Sequence, residues 1–152
     1  AIRKLHVNTL VVKSALPQIS FPKVVFASGL LLEDQEAFRR FLKLSEALDI
    51  KELHVLSIRT SGFFTPPRII MQEALKDFEA IASDHAVTTH YHTDISIEAG
   101  IRRFAEEEKA DLIAISNHIR HPMKRIFRGS TVEMIVNHAS VPVLSIDYPA
   151  EE

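Results

Sequence analysis

From Lys23 to Ile146 the chain alternates short apolar runs with stretches whose apolar residues recur every three or four positions. Few architectures accept that alternation. Val24-Val25-Phe26-Ala27 and Leu112-Ile113-Ala114-Ile115 are short and apolar, as strands buried on both faces require, and Leu53 to Ile58 reads as another strand. Phe38, Phe41, Leu42, Ser45 and Leu48 fall at helical spacing, with Arg39, Arg40, Lys43 and Glu46 on the opposite side, which predicts an amphipathic helix. Thr65-Pro66-Pro67 opens a second helix whose inner stripe is Met71, Ala74, Leu75, Phe78, Ile81 and Ala82. Val87 to His92 is a more polar strand, suited to a sheet edge. Asp94 or Ser96 caps a third helix with the stripe Ile97, Ile101, Phe104 and Ala105, and Glu106 to Glu108 face water. A fourth helix is expected from about Ser130 to His138, and a last strand from Pro142 to Ile146.

Strands alternating with helices imply an α/β fold: a doubly wound, five-stranded parallel sheet of order 3-2-1-4-5 with right-handed crossovers and helices on both faces. Ligands of such sheets lie beyond the carboxyl ends of the strands, where the strand order reverses. The loops Ser28 to Glu33 and Ser116 to Gly129 are therefore expected to meet at the binding crevice. Residues 1–20 stand outside this cycle. Val7 to Val12 is strand-like and echoes the last strand, so an extra N-terminal strand is expected. Residues 1–20 then read as a remnant strand and linker from a preceding copy, 21–148 as the domain and 149–152 as a tail. A first residue Ala1, not Met, fits a piece of a longer protein.

Composition narrows the function. A chain of 152 residues, 46% hydrophobic, holds one well-packed core. Eighteen basic against 20 acidic residues leave a net charge of −2, which argues for neither nucleic acid nor an anionic membrane as partner. The lack of cysteine excludes disulfides, iron–sulfur ligation and a thiol nucleophile, and fits a reducing cytoplasm. No apolar run approaches the ~20 residues that span a bilayer.

The segment Ala110-Asp111-Leu112-Ile113-Ala114-Ile115, the turn Gly129-Ser130-Thr131 and the strand Pro142-Val143-Leu144 together resemble the C-terminal half of universal stress protein (UspA-like) domains. In that Rossmann-like, adenine nucleotide α-hydrolase-like group a strand is followed by G-x-x-G, nine residues, G-S or G-T, a short helix and a P-V-L strand. The resemblance covers about 23–147, and the paired-copy layout is similar to tandem stress proteins. It implies a nucleotide site for ATP, ADP or AMP built from Ser28, Gly29, Ile58, Ile115, Ser116, Asn117, Ile119, Gly129, Ser130 and Thr131. Within it, Ile58 and Ile115 flank the base, and Ser116 and Asn117 lie near the ribose or α-phosphate.

The chain departs from that pattern. Ser116 and Ile119 stand where the family has its two glycines, and Phe26-Ala27-Ser28-Gly29-Leu30 replaces V-x-x-D-x-S, with no acid before Glu33. Glycine lets backbone N–H groups approach an anion closely, so isoleucine at 119 adds bulk where the family leaves room. His118, Arg120, His121, Lys124, Arg125 and Arg128 surround the Gly129 turn with cations. That cluster reads either as an anion or phosphate site or as a solvated loop. Ser130-Thr131-Val132-Glu133 also fits a capping box, and capping and anion binding can coexist. His118-Ile119-Arg120-His121 lacks the glycine of a nucleotidyl-transferase H-I-G-H box, and Ser28-Gly29 lacks the rest of a pyrophosphatase loop.

His90 and His92 share a face of their strand, with His85 nearby, but histidines on an edge strand read as surface residues, and no metal site is expected. His138 is expected at a helix C-terminus, favoured by the dipole. No catalytic residue is assigned. The expected function is a stress-response regulatory or ligand-binding module with a degenerate ATP site and no certain cofactor. The alternative is an ATP-binding stress protein with slow ATP hydrolysis. Pro142 to Ile146 would expose an apolar sheet edge, so pairing there with Val7 to Val12, as a homodimer or with a sister domain, is expected.

Overall fold

The computed structural model describes residues 9–11, 21–29, 32–60, 67–83, 85–119, 135 and 138–149. The elements in chain order are β1 (Thr9–Val11), β2 (Lys23–Ala27), α1 (Leu32–Ser45), β3 (Glu52–Arg59), α2 (Arg68–Ala82), β4 (Val87–Thr93), α3 (Ile97–Glu108), β5 (Leu112–Ile119) and β6 (Val143–Pro149). Ile135 and His138 are also helical, within the expected fourth helix.

The six strands form one sheet of order β1-β6-β5-β2-β3-β4. β2 through β6 run parallel, in the order 3-2-1-4-5 expected of the five-stranded domain. β1 adds an antiparallel edge: Thr9, Leu10 and Val11 stand opposite Ser145, Leu144 and Val143. The feet of β2 and β5 are tied by Asp111, whose carboxylate accepts the Lys23 N–H at 2.9 Å while its own N–H reaches the Lys23 carbonyl at 2.7 Å.

Strand alternation divides the core into two apolar layers. Val24, Phe26, Val55, Leu112 and Ala114 pack with Phe38 and Phe41 of α1 and Leu75 and Phe78 of α2. The ring of Phe26 lies 4.9 Å from Phe38 and 5.4 Å from Phe41, centroid to centroid, within the range where aromatic pairs attract. Val25, Ala27, Leu56, Ile113 and Ile115 pack on the other face with Ile101, Phe104 and Ala105 of α3, and with Ile135.

Helix boundaries follow local chemistry. Pro67 precedes α2 without a side-chain cap, and its carbonyl accepts from Ile70 and Met71 N–H. Ser96, not Asp94, caps α3: its hydroxyl oxygen accepts the Ala99 N–H at 3.1 Å. Asp94 instead pairs with Arg103 at 3.4 Å. α1 ends at Ser45, short of the expected Leu48, and Asp49 turns the chain with φ 53°.

Two boundaries differ from expectation near the crevice. Ser116 to Ile119, expected to open a loop, are strand residues paired with Ile146, Asp147, Tyr148 and Pro149. β6 accordingly runs three residues past Ile146. Backbone pairing ignores side-chain polarity, so the polar run Ser-Asn-His gave no sign that the strand continues. Among the described residues, no helix is long and apolar enough to cross a membrane.

Candidate functional site

At the switch point β2 and β5 lie side by side; Ser28 and Gly29 follow β2, and Ser116 lies midway along β5, just past its last pairing with β2. These three groups converge on one carboxylate. Asp34, in the first turn of α1, is 1% exposed. Its Oδ2 accepts the Ser28 hydroxyl at 2.9 Å and the Gly29 N–H at 3.0 Å, and its Oδ1 accepts the Ser116 hydroxyl at 2.7 Å. A helix N-terminus and converging N–H and O–H donors are what a buried carboxylate requires. A carboxylate held this way repels anions placed beside it.

Ser28, Gly29 and Ser116 are thus brought together, as the sequence implied, but around an acid that the motif comparison did not anticipate. Asp34 lies six residues beyond Ser28, where a family pattern anchored on the strand end does not look. In the sequence Asp34 is one of several acids near the start of the first helix, beside Glu33 and Glu36, and nothing marks it as reaching back to the strand end. Ile115 is 7% exposed and belongs, with Ile58, to the apolar layer on the α3 face. Ile58 packs directly over Gly100 of α3. Asn117, His118 and Ile119 are placed in β5 by their backbone. Arg120, Lys124, Arg125, Arg128, Gly129, Ser130 and Thr131 lie outside the described residues, and so do His121 and the capping box.

A second constellation occupies the opposite end of the sheet. His54 of β3, 6% exposed, directs Nδ1 to Nε2 of His90 at 2.9 Å and Nε2 to a Glu52 carboxylate oxygen at 2.8 Å. Glu108, at the end of α3, brings Oε1 to 3.9 Å from the same His54 Nε2. Lys23 reaches Glu52 at 3.0 Å and donates to the Glu108 carbonyl at 2.9 Å. Phe104 supports the histidines, with centroids 5.9, 4.7 and 5.3 Å from His54, His90 and His92.

The electrostatics follow. Burial first, then the facing His54 and His92, push His90 below the ordinary imidazole value. The hydrogen bond from His54, then that from Lys23, hold Glu52 below the usual carboxylate range. The hydrogen bond to Glu52 holds Lys23 above the ordinary lysine value. His90 and His92 alternate as expected, but the partner that matters is His54, isolated in an apolar run. His138 ends its helix as expected and also stands 3.4 Å from Glu98, which Arg102 pairs at 3.1 Å.

A parallel doubly wound sheet with a polar cluster at its switch point defines the class: a Rossmann-like α/β domain with helices on both faces. Comparison with known proteins narrows it. The universal stress protein family model matches residues 20–146, so the chain belongs to the universal stress protein family. A universal stress protein of Methanocaldococcus jannaschii is 35% identical over 82 residues, 53% of this chain and 48% of the relative. The match therefore spans about half the relative's length.

Among solved structures, a universal stress protein of Archaeoglobus fulgidus DSM 4304 superposes with a TM-score of 0.69 at 20% identity, covering 99% of this chain and 53% of that one. A universal stress protein in complex with cAMP superposes with a TM-score of 0.66 at 16% identity, covering 84% of this chain and 98% of that one. At such identities these likenesses concern the fold.

Proposed function

We propose that the chain is a ligand-binding regulatory module of universal stress protein type, non-catalytic and acting in the cytoplasm, in which binding of nucleoside triphosphates is weakened or lost. The observation that carries this is the buried Asp34 carboxylate, tied to Ser28, Gly29 and Ser116 at the switch point. Those donors face an anion that belongs to the protein. A phosphate group about 4 Å from that carboxylate would be repelled by ~4 kcal/mol at an effective dielectric of about 20, close to a thousandfold in affinity. The extended backbone of Ser116 to Ile119 supports the same reading, because a phosphate-cradling loop must turn there.

A relative binds cAMP, which carries a single phosphate charge. A ligand with few charges suits a site beside a buried carboxylate better than a triphosphate does. Isothermal titration with ATP, ADP, AMP and adenosine tests this: affinity should fall as phosphates are added, and Asp34→Asn should recover part of the loss for ATP. Low-micromolar binding of ATP to the unaltered chain would overturn the proposal. The β1–β6 edge is read as the seam along which a sister copy of the domain or a second chain assembles.

A further inference from the structure

We propose that Glu52, His54 and Glu108 form a binding site for a divalent zinc-class ion, with His90 as the outer partner that orients His54. One atom from each of the three residues lies within 4.8 Å of the others. Four-coordinate zinc with bonds near 2.0–2.1 Å sets its ligand atoms about 3.3 Å apart. The existing separations from His54 Nε2, 2.8 Å to Glu52 and 3.9 Å to Glu108, bracket that value. Rotation of the two glutamate side chains brings both His54 separations, and the two carboxylate oxygens that lie within 4.8 Å of one another, to that value. Both glutamates are partly exposed, with side chains at 51% and 36%, so they can move and an ion can enter, while His54 at 8% is fixed from behind.

The chemistry of the set selects the ion. An imidazole with two carboxylates favours zinc or a similar transition metal over magnesium or calcium, and two carboxylates neutralise a divalent charge. Three protein ligands leave one position to solvent. The second sphere is also present, because metal-bound histidines commonly donate their other N–H to a neighbour that fixes the ring. Nε2 of His54 faces a carboxylate, which only accepts, so in the free protein it carries the proton and Nδ1 accepts from His90. On binding, Nε2 gives its lone pair to the ion, Nδ1–H donates to His90 Nε2, and His90 carries its own proton at Nδ1. Both rings stay neutral and the proton count is unchanged. Phe104 beneath the rings keeps them from turning away. Lys23 shares the Glu52 oxygen that faces His54, at 3.0 Å, so on binding its ammonium swings off that oxygen and keeps its bond to the Glu108 carbonyl.

The test is isothermal titration of the chelator-treated chain with zinc chloride, together with visible absorption on adding cobalt(II), whose tetrahedral sites absorb strongly. One ion per chain is expected. Glu52→Gln/Glu108→Gln, at positions where a fold defect is not expected, should lower affinity at least tenfold. His54→Gln should abolish binding, and His90→Gln should weaken it by about ten- to a hundredfold. His118→Asn/His121→Asn should change nothing. Zinc uptake by the double glutamine variant equal to that of the unaltered chain, loss of uptake in the His118/His121 variant, or no uptake at all would overturn the proposal.

Discussion

Ser116 on β5 donates its hydroxyl proton to Asp34 on α1 across 2.7 Å, joining residues 82 apart in sequence at the point where the strand order reverses. In the family pattern Ser116 stands in a glycine position, and the loss of that glycine reads from the sequence alone as erosion. In the folded chain the replacement has a partner. The serine closes a network in which one carboxylate holds the end of β2, the start of α1 and the middle of β5.

Asp34→Ala should therefore destabilise the fold by about 1–3 kcal/mol, since three part-buried donors lose their shared acceptor. Asp34→Asn should cost less, because its amide oxygen still accepts. Urea unfolding of both variants measures the difference. Equal stability of Asp34→Ala and the unaltered chain would show that the network is incidental.

Periodicity and strand composition were sufficient for the element order, the strand order and the two-layer core. Residues such as Val24 and Phe26 announce double burial, and Asp111 and Ser96 sit where a strand foot and a helix cap require them. The site was less legible, for two reasons. Asp34 reaches back from a helix to a strand end, a contact that no linear motif encodes. His54 lies in the apolar run Leu53 to Ile58, and only the parallel registers of β3 and β4 and the descent of α3 bring His90 and Glu108 to it. Pairing of Ser116 to Ile119 with β6 is a backbone property and left no trace in side chains.

Gly100 of α3 meets Ile58 so closely that a Cβ there would stand 2.7 Å from Cδ1, 2.8 Å from Cγ2 and 2.9 Å from Cγ1. Three atoms of a branched side chain cannot all step aside by one rotation, so α3 itself would have to lift. Gly100→Ala should cost about 1–3 kcal/mol despite the better helix propensity of alanine. Pairing it with Ile58→Ala should restore much of that loss. A double-mutant cycle in urea gives the coupling, and additive effects would refute the contact.

Lys109 closes α3 in the left-handed conformation, with φ 56° and ψ 47°, and its N–H bonds to the carbonyls of Ala105 and Glu106. A side chain there carries a steric penalty of about 1–2 kcal/mol that glycine avoids, partly offset by the greater freedom of glycine in the unfolded chain. Lys109→Gly should stabilise by about 0.5–1 kcal/mol, seen as a higher urea midpoint at constant slope. Lys109→Val should lower the midpoint.

β6 is apolar and has β5 on one side, so the other side depends on β1. Three residues, Thr9 to Val11, cover Val143 to Ser145 there. Without them the backbone N–H and C=O groups of β6 would form a template for another strand, and Val143 and Leu144 supply the apolar contacts that make such pairing adhesive. Deletion of residues 1–15 should therefore lower solubility or convert the chain to a larger assembly, measured by size-exclusion chromatography with light scattering over a range of concentrations. A truncated chain that keeps both the mass and the solubility of the full one would show that β1 does not protect this edge.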